Sequence, residues 1–210
     1  MSLSIPGPTG PLEAKLWKPQ GAAPRAAAVL CHPHPLHGGT MNTTALFRSA
    51  RGLEEAGLAV LRFNFRGVGK SAGVHDGKGA EELDLKAALD WMEHEFPGLE
   101  LWIGGFSFGA RTSASYASKD PRVKRILLVA LPVKVFDCSF LLRITQPGLI
   151  LMAGRDEFGT LRELKELFPK LPPQLETDEI PDVTHYFANG TQELQARVRR
   201  FAEESLASRT

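Results

Sequence analysis

The stretch LELWIGGFSFGARTSASYA, residues 99–117, contains the features that decide the fold. It begins as a short apolar run, passes through two glycines to Ser107, and continues into small residues that are compatible with a helix. Residues 105–109, GFSFG, match the G-x-S-x-G pattern, in which a serine occupies a sharp turn between a strand and a helix. Gly105 and Gly109 are expected to remove side chains that would collide within such a turn. The pattern therefore predicts that the hydroxyl of Ser107 is lifted clear of the sheet edge.

The same turn would place backbone amides beside the serine. The first amides of a helix lack an intrahelical acceptor, and the amide of Phe108 follows Ser107 directly. Such donors stabilise negative charge on the group that a serine attacks. Ser107 is thus a candidate nucleophile, and the Phe108 amide is a candidate oxyanion-hole donor. The alternative is a glycine- and serine-rich turn without chemistry, because a five-residue pattern can arise by chance.

Apolar runs alternate with helical patterns along the rest of the chain. The predicted strands are residues 12–17, 26–31, 58–65, 101–103, 125–131, 148–153 and 174–180. Besides the helix after the serine, the predicted helices are residues 40–56, 79–96, 161–168 and 191–206. In the second of these, the buried face is predicted to contain Leu83, Ala87 or Ala88, and Trp91. The alternation predicts a three-layer α/β/α sandwich with a mostly parallel sheet of about seven strands.

Length and composition favour one soluble domain over residues 1–210. The 25 basic and 24 acidic residues give a net charge of +1, so no charge field indicates a nucleic-acid partner. The two cysteines, Cys31 and Cys138, form no disulfide framework. We find neither a secretory signal pattern nor an apolar run long enough to span a membrane, and we expect a cytoplasmic protein that does not bind membranes.

A serine nucleophile needs a base and an acid that orients the base, and these partners should follow it in the order acid, then histidine. His185 is the one histidine after Ser107, and it lies between the last predicted strand and the last helix. Three carboxylates could orient it: Asp156, Glu157 and Asp137. We favour Asp156, because it follows a buried strand through a two-residue turn, although it could instead cap the next helix.

The second oxyanion donor is expected from the loop after the first buried strand, CHPHPLHGGT. His34 lies between two prolines, which have no amide proton and would hold the His34 amide stiffly. An alternative for this loop is a metal site built from His32, His34 and His37, but no carboxylate or cysteine cluster accompanies them. Cys31 is interpreted as a small core residue.

The segment GVGKS, residues 67–71, resembles the end of a phosphate-binding P-loop. That motif requires a glycine at position 64, which is asparagine here, and a helix directly after Ser71. A glycine-built turn is the favoured interpretation, with Arg66 tying neighbouring loops together.

Five motifs together resemble the α/β-hydrolase superfamily, and most of all a small group of lidless bacterial serine hydrolases. The motifs, in chain order, are HPHPLHGG, RFNFRGVGKSAG, GGFSFGA, GRDEFG and the THYF turn at His185. The resemblance implies a Ser107–Asp156–His185 triad and hydrolysis of esters or thioesters, without cofactor or metal.

The sequence thus predicts a serine hydrolase acting on small acyl esters or thioesters, with a non-catalytic binding protein of the same fold as the alternative. Residues 131–148 are too few to form a cap of several helices. We therefore expect an open cleft that prefers short acyl groups. This apolar segment could alternatively form a homodimer contact.

Overall fold

Runs of apolar residues form the strands of one sheet through the middle of the molecule. The computed structural model describes residues 3–208 and contains β1 (Leu3–Ile5), β2 (Leu12–Trp17), β3 (Ala26–Cys31), β4 (Leu58–Phe63), β5 (Leu101–Phe106), β6 (Val123–Val129), β7 (Gly148–Ala153) and β8 (Leu175–Ile180). Their order across the sheet is β1-β2-β4-β3-β5-β6-β7-β8. β2 pairs antiparallel with both β1 and β4, and all other neighbouring strands pair parallel. This confirms the predicted mostly parallel sheet.

Five α-helices cover the two faces of this sheet. They are α1 (Thr44–Glu55), α2 (Glu81–Glu95), α3 (Phe108–Ala117), α4 (Leu161–Leu167) and α5 (Thr191–Ala207). One apolar cluster joins α1 and α5 to one face, and a second joins α2, α3 and α4 to the other. The predicted three-layer sandwich is therefore confirmed. No helix within residues 3–208 combines the length and apolarity that crossing a membrane requires.

Several boundaries differ from the predicted ones. β1 was not predicted, since it has only three residues and is followed by a proline- and glycine-rich stretch. β4 ends at Phe63 rather than residue 65, because the amide of Phe65 donates to the ring of His32 and not to a neighbouring strand. The first helix begins at Thr44 rather than residue 40.

The predicted buried face of α2 was right at Ala88, which is fully buried, and at Trp91, which packs against the core, but wrong at Leu83. Leu83 is 54% exposed, whereas Leu85, Leu89 and Met92 are fully buried. The buried face also contains an acidic side chain that the apolar pattern ignores. Asp84 is fully buried because its carboxylate binds the guanidinium of Arg66, with Nη2 and Oδ1 2.7 Å apart. Arg66 thus ties its loop to α2, as the sequence predicted.

Candidate active site

Ser107 forms the turn between β5 and α3. Its backbone adopts φ 57° and ψ −119°, a conformation that L-residues other than glycine rarely adopt. The turn fits because α3 passes close to the end of β3. A Cβ atom on Gly105 or Gly109 would collide with the carbonyl oxygen of Cys31, so both positions of the motif require glycine. The tight turn brings the hydroxyl of Ser107 to the carboxyl ends of the parallel strands.

The three residues proposed as a triad lie together and are almost fully buried. The Oγ atom of Ser107 is 2.9 Å from Nε2 of His185, and Nδ1 of His185 is 2.7 Å from Oδ2 of Asp156. Because a carboxylate only accepts, Nδ1 carries the proton, and the lone pair of Nε2 faces the serine hydroxyl. The backbone amide of Phe158 donates to Oδ1 of Asp156 at 2.8 Å, which fixes the carboxylate.

The other candidate acids lie elsewhere. Asp137 is exposed and accepts hydrogen bonds from the amide and hydroxyl of Ser139, and Glu157 is exposed as well. The alternative role of Asp156 as a helix cap was wrong, because Thr160 caps α4 through a reciprocal capping box with Glu163.

Aromatic rings enclose the imidazole of His185. The Phe158 ring meets it edge-on at 4.7 Å between centroids, and the rings of Phe106 and Tyr186 lie at 5.0 and 5.2 Å. Exposure of His185 is therefore only 2%. The sequence analysis did not single out these aromatic neighbours, although two of them are next to predicted site residues.

The buried ring of His32 holds the loop after β3. Its Nε2 accepts the amide proton of Phe65 at 3.0 Å, so Nδ1 is the protonated nitrogen and donates to the carbonyl oxygen of Pro33 at 2.6 Å. Burial lowers the pKa of His32 to about 4, which keeps the ring neutral. Both ring nitrogens are engaged, so His32 is not available as a metal ligand in this conformation.

His34 and Phe108, the two candidate oxyanion donors, both line the cavity that contains Ser107. Phe108 is the first residue of α3, where an amide has no intrahelical acceptor. The carbonyl oxygen of His34 accepts the amides of His37 and Gly39 at 3.1 Å, which closes the loop on itself. The structure thus brings both residues to the cavity, and the role of their amides stays a prediction.

Two further polar side chains lie behind the His34 ring and were not predicted. His34 stacks on His37 at 4.6 Å and meets His75 edge-on at 5.2 Å. His75 in turn lies 2.5 Å from the buried carboxylate of Glu81. Burial and the neighbouring imidazoles lower the pKa of His34. His75 and Glu81 could not be found from local motifs, since their pairing depends on how α2 packs.

The cavity beside Ser107 is small and mostly apolar. It measures about 110 Å³, well below the range of about 300 to 1,000 Å³ that is usual for small-molecule sites. Part of its apolar wall comes from the connection between β6 and β7, through Pro132, Val135 and Phe136, and the rings of Phe108 and Phe158 line it as well. That connection contains one short 3₁₀ helix, Ser139–Arg143, and no cap.

The segment that resembles a P-loop is a turn. Gly67 and Gly69 have φ values of 74° and 58°, and α2 does not begin until Glu81. The hydroxyl of Ser71 donates to the carbonyl oxygen of Asn64 at 2.6 Å. The segment lacks the helix that would receive a phosphate.

Known proteins resemble this chain over most of its length. A family model for the α/β hydrolase domain matches residues 25–207. An uncharacterized protein of Rickettsia prowazekii is 33% identical over 205 residues, which cover 93% of this chain and 85% of that protein.

Solved structures of serine hydrolases also match this chain over most of its length. An α/β serine hydrolase homologue from Coxiella burnetii has a TM-score of 0.88 at 37% identity, with 95% of this chain and 96% of that chain covered. A serine hydrolase without a lid from Xanthomonas campestris has a TM-score of 0.90 at 30% identity, with 98% and 94% covered. The chain belongs to the α/β-hydrolase superfamily, in its lidless group, and its general activity is that of a hydrolase.

Proposed function

We propose that the protein is a serine hydrolase that cleaves small acyl esters or thioesters through a covalent acyl-enzyme intermediate. The observation that carries the proposal is the unbroken hydrogen-bonded chain from Ser107 through His185 to Asp156, at 2.9 and 2.7 Å. These distances lie within the reach that proton transfer requires. The strained backbone of Ser107 and the glycines around it support the same proposal, because they allow Ser107 to line the cavity at the N-terminus of α3.

In the first half of the reaction, Oγ of Ser107 attacks the acyl carbonyl while Nε2 of His185 takes the hydroxyl proton. Asp156 holds the ring in the required tautomer and stabilises the imidazolium. The amides of Phe108 and His34 stabilise the oxyanion. The bond from the acyl carbon to the leaving oxygen or sulfur then breaks, and His185 transfers its proton to the leaving group.

In the second half, a water molecule attacks the acyl-enzyme while His185 takes its proton. The bond between the acyl carbon and Oγ breaks, the proton returns to Ser107, and the carboxylic acid leaves. This balance uses only the ester or thioester and water.

Labelling with a serine-directed fluorophosphonate tests the proposal. We expect stoichiometric labelling of the wild-type protein at Ser107, and no labelling of a Ser107→Ala variant or of denatured protein. A folded wild-type protein that is neither labelled nor active on p-nitrophenyl acetate would instead be a non-catalytic member of the fold.

A further inference from the structure

A second cavity adjoins the one that contains Ser107. It measures about 490 Å³, within the usual range for small-molecule sites. Its lining residues, none of which carries a charged side chain, are Gly38, Thr40, Asn42, Thr43, Thr44, Ala45, Tyr186, Ala188 and Thr191. We call it the threonine groove. Gly38, Thr43 and Tyr186 line both cavities, so the groove continues directly from the Ser107 cavity.

Hydroxyl groups dominate the polar surface of the threonine groove. The hydroxyl oxygens of Thr40 and Thr43 accept backbone amides within their own turn, which leaves their protons free to be donated. Over residues 3–208, the hydroxyls of Thr44, Thr191 and Tyr186 form no hydrogen bond. The lining side chains thus offer neutral donors and acceptors. One cation touches the lining, because the ammonium of Lys15 donates to Oδ1 of Asn42 at 2.9 Å.

The position of the groove relative to His185 indicates which half of a substrate it holds. The leaving oxygen must come within hydrogen-bond distance of Nε2 of His185 to receive its proton. Tyr186 follows His185 directly, its ring contacts the imidazole, and it lines the groove. Val135 and Phe136, from the connection between β6 and β7, and Phe108 give the Ser107 cavity an apolar lining, and none of the three lines the groove. The acyl group therefore fits the apolar wall, and the leaving group fits the groove.

We propose that the leaving group is an uncharged polyhydroxylated alcohol of about monosaccharide size, so that the substrate is an acylated sugar. This inference rests on the proposed function above and narrows it. The sugar hydroxyls would exchange hydrogen bonds with the threonine side chains. The ring of Tyr186, which is 53% exposed, supplies an apolar surface for the C–H face of the sugar. In the reaction, the acyl–oxygen bond breaks and the sugar oxygen takes its proton from His185.

Two acetates with the same acyl group and a six-membered ring test this proposal. One is the primary acetate of methyl glucoside, and the other is cyclohexylmethyl acetate, which lacks the hydroxyls. We expect wild-type kcat/KM to be at least about tenfold higher for the sugar ester. Thr44→Val and Tyr186→Ala should each reduce this preference by about threefold to tenfold, the loss expected for a neutral hydrogen bond or a ring contact.

Thr177→Val is the matched control, because Thr177 lies on β8 and lines neither cavity. It should retain the preference. The sugar proposal would be overturned if wild-type kcat/KM were equal for the two esters. It would also be overturned if the groove variants lost activity equally on both esters. Activity on p-nitrophenyl acetate would in either case leave the hydrolase proposal intact.

A binding measurement does not depend on turnover. Saturation-transfer NMR with methyl glucoside should show binding to the Ser107→Ala protein, and the dissociation constant should rise by about threefold to tenfold in the double variant with Tyr186→Ala. A sugar concentration of about 100 mM is far above typical KM values. Absence of binding at this concentration would contradict the proposal, whether or not the protein hydrolyses any ester.

Discussion

Nδ1 of His32 donates a 2.6 Å hydrogen bond to the carbonyl oxygen of Pro33. The Pro33–His34 peptide is trans, so its N–H points away from its C=O. The bond from His32 therefore fixes the direction of the His34 amide, the candidate oxyanion donor. We propose that His32 positions this amide, and its ring is fully buried and lines neither cavity.

Removing the nucleophile should separate activity from stability. We expect Ser107→Ala to lower kcat by a factor on the order of 10⁴ to 10⁶, as in other triad knockouts. Ser107→Gly should be equally inactive but more stable than Ser107→Ala by about 1 kcal/mol, because glycine relieves the positive φ. Ester hydrolysis and urea unfolding measure the two effects. Near wild-type turnover in either variant would exclude Ser107 as the nucleophile.

The acid can be identified by exchange to amides. Asp156→Asn should lower kcat by about 10³ to 10⁴, because the amide would favour the wrong tautomer of His185. Asp137→Asn and Glu157→Gln are the controls and should each cost less than about tenfold, since both carboxylates are exposed and away from the imidazole. A larger loss in either control than in Asp156→Asn would show that the acid follows a different strand or register.

The rate of hydrolysis should be sensitive to one added methyl group in the loop after β3, which contains His34 and Gly39. A Cβ on Gly39 would overlap the carbonyl oxygens of Pro33 and His34, and so Gly39→Ala must displace the peptide that carries the His34 amide. We expect kcat to fall by about 10- to 100-fold with little change in KM, somewhat less than the loss of a complete donor.

Gly21→Ala is the control for this variant. Gly21 also has a positive φ, 74°, but a Cβ there has no neighbour within 4 Å. Its stability should fall slightly and its kcat should not change. Unchanged kcat in Gly39→Ala would argue against a role of the His34 amide in the reaction.

Acyl-chain length should be limited by the small cavity. Burying each methylene gains about 0.8 kcal/mol only where the protein supplies a wall, and the cavity beside Ser107 holds about 110 Å³. We expect kcat/KM for p-nitrophenyl esters to be highest at roughly two to six acyl carbons, without a jump when the substrate forms micelles. A steady rise towards long chains would reveal a deep acyl tunnel or a moving lid.

Stability should depend on pH through His32. Its pKa is lowered from 6.5 to about 4 by burial, so between these values the unfolded chain binds the proton and the folded protein does not. The contribution of neutral His32 to the free energy of unfolding is therefore fully present above about pH 6.5. The free energy of unfolding decreases as the pH falls towards 4, by on the order of 3 kcal/mol.

Urea unfolding across this pH range measures the effect. His32→Gln should flatten the slope, whereas His94→Gln should not, because the His94 side chain is 85% exposed. An unchanged slope in His32→Gln would mean that another group causes the acid sensitivity.

The sequence predicted best where one local pattern suffices. β7 and β3 were predicted with their observed bounds, because a continuous apolar run between turns has few alternatives as a strand. The positions of Ser107 and His185 followed from motif and chain order. β1 was missed because three residues carry too little pattern to distinguish a strand from a lead-in.

The features that sequence analysis missed depend on contacts between residues that are distant in the chain. The buried face of α2 includes Asp84, whose bond to Arg66 no apolar periodicity reveals. The role of His32 depends on the amide of Phe65, 33 positions away. The local sequence alone does not distinguish a neutral structural histidine from a metal ligand, and the contact with Phe65 is what identifies His32 as structural.

The short connection between β6 and β7 has an evolutionary consequence. Val135 and Leu142 in this connection are at least half exposed, Val135 lines the Ser107 cavity, and neither residue belongs to the paired strands. Doubling a flexible loop costs only about 0.6 kcal/mol of closure entropy. A lineage could therefore insert a cap here and acquire new substrates without rebuilding the core, which makes this connection a natural insertion point for directed diversification.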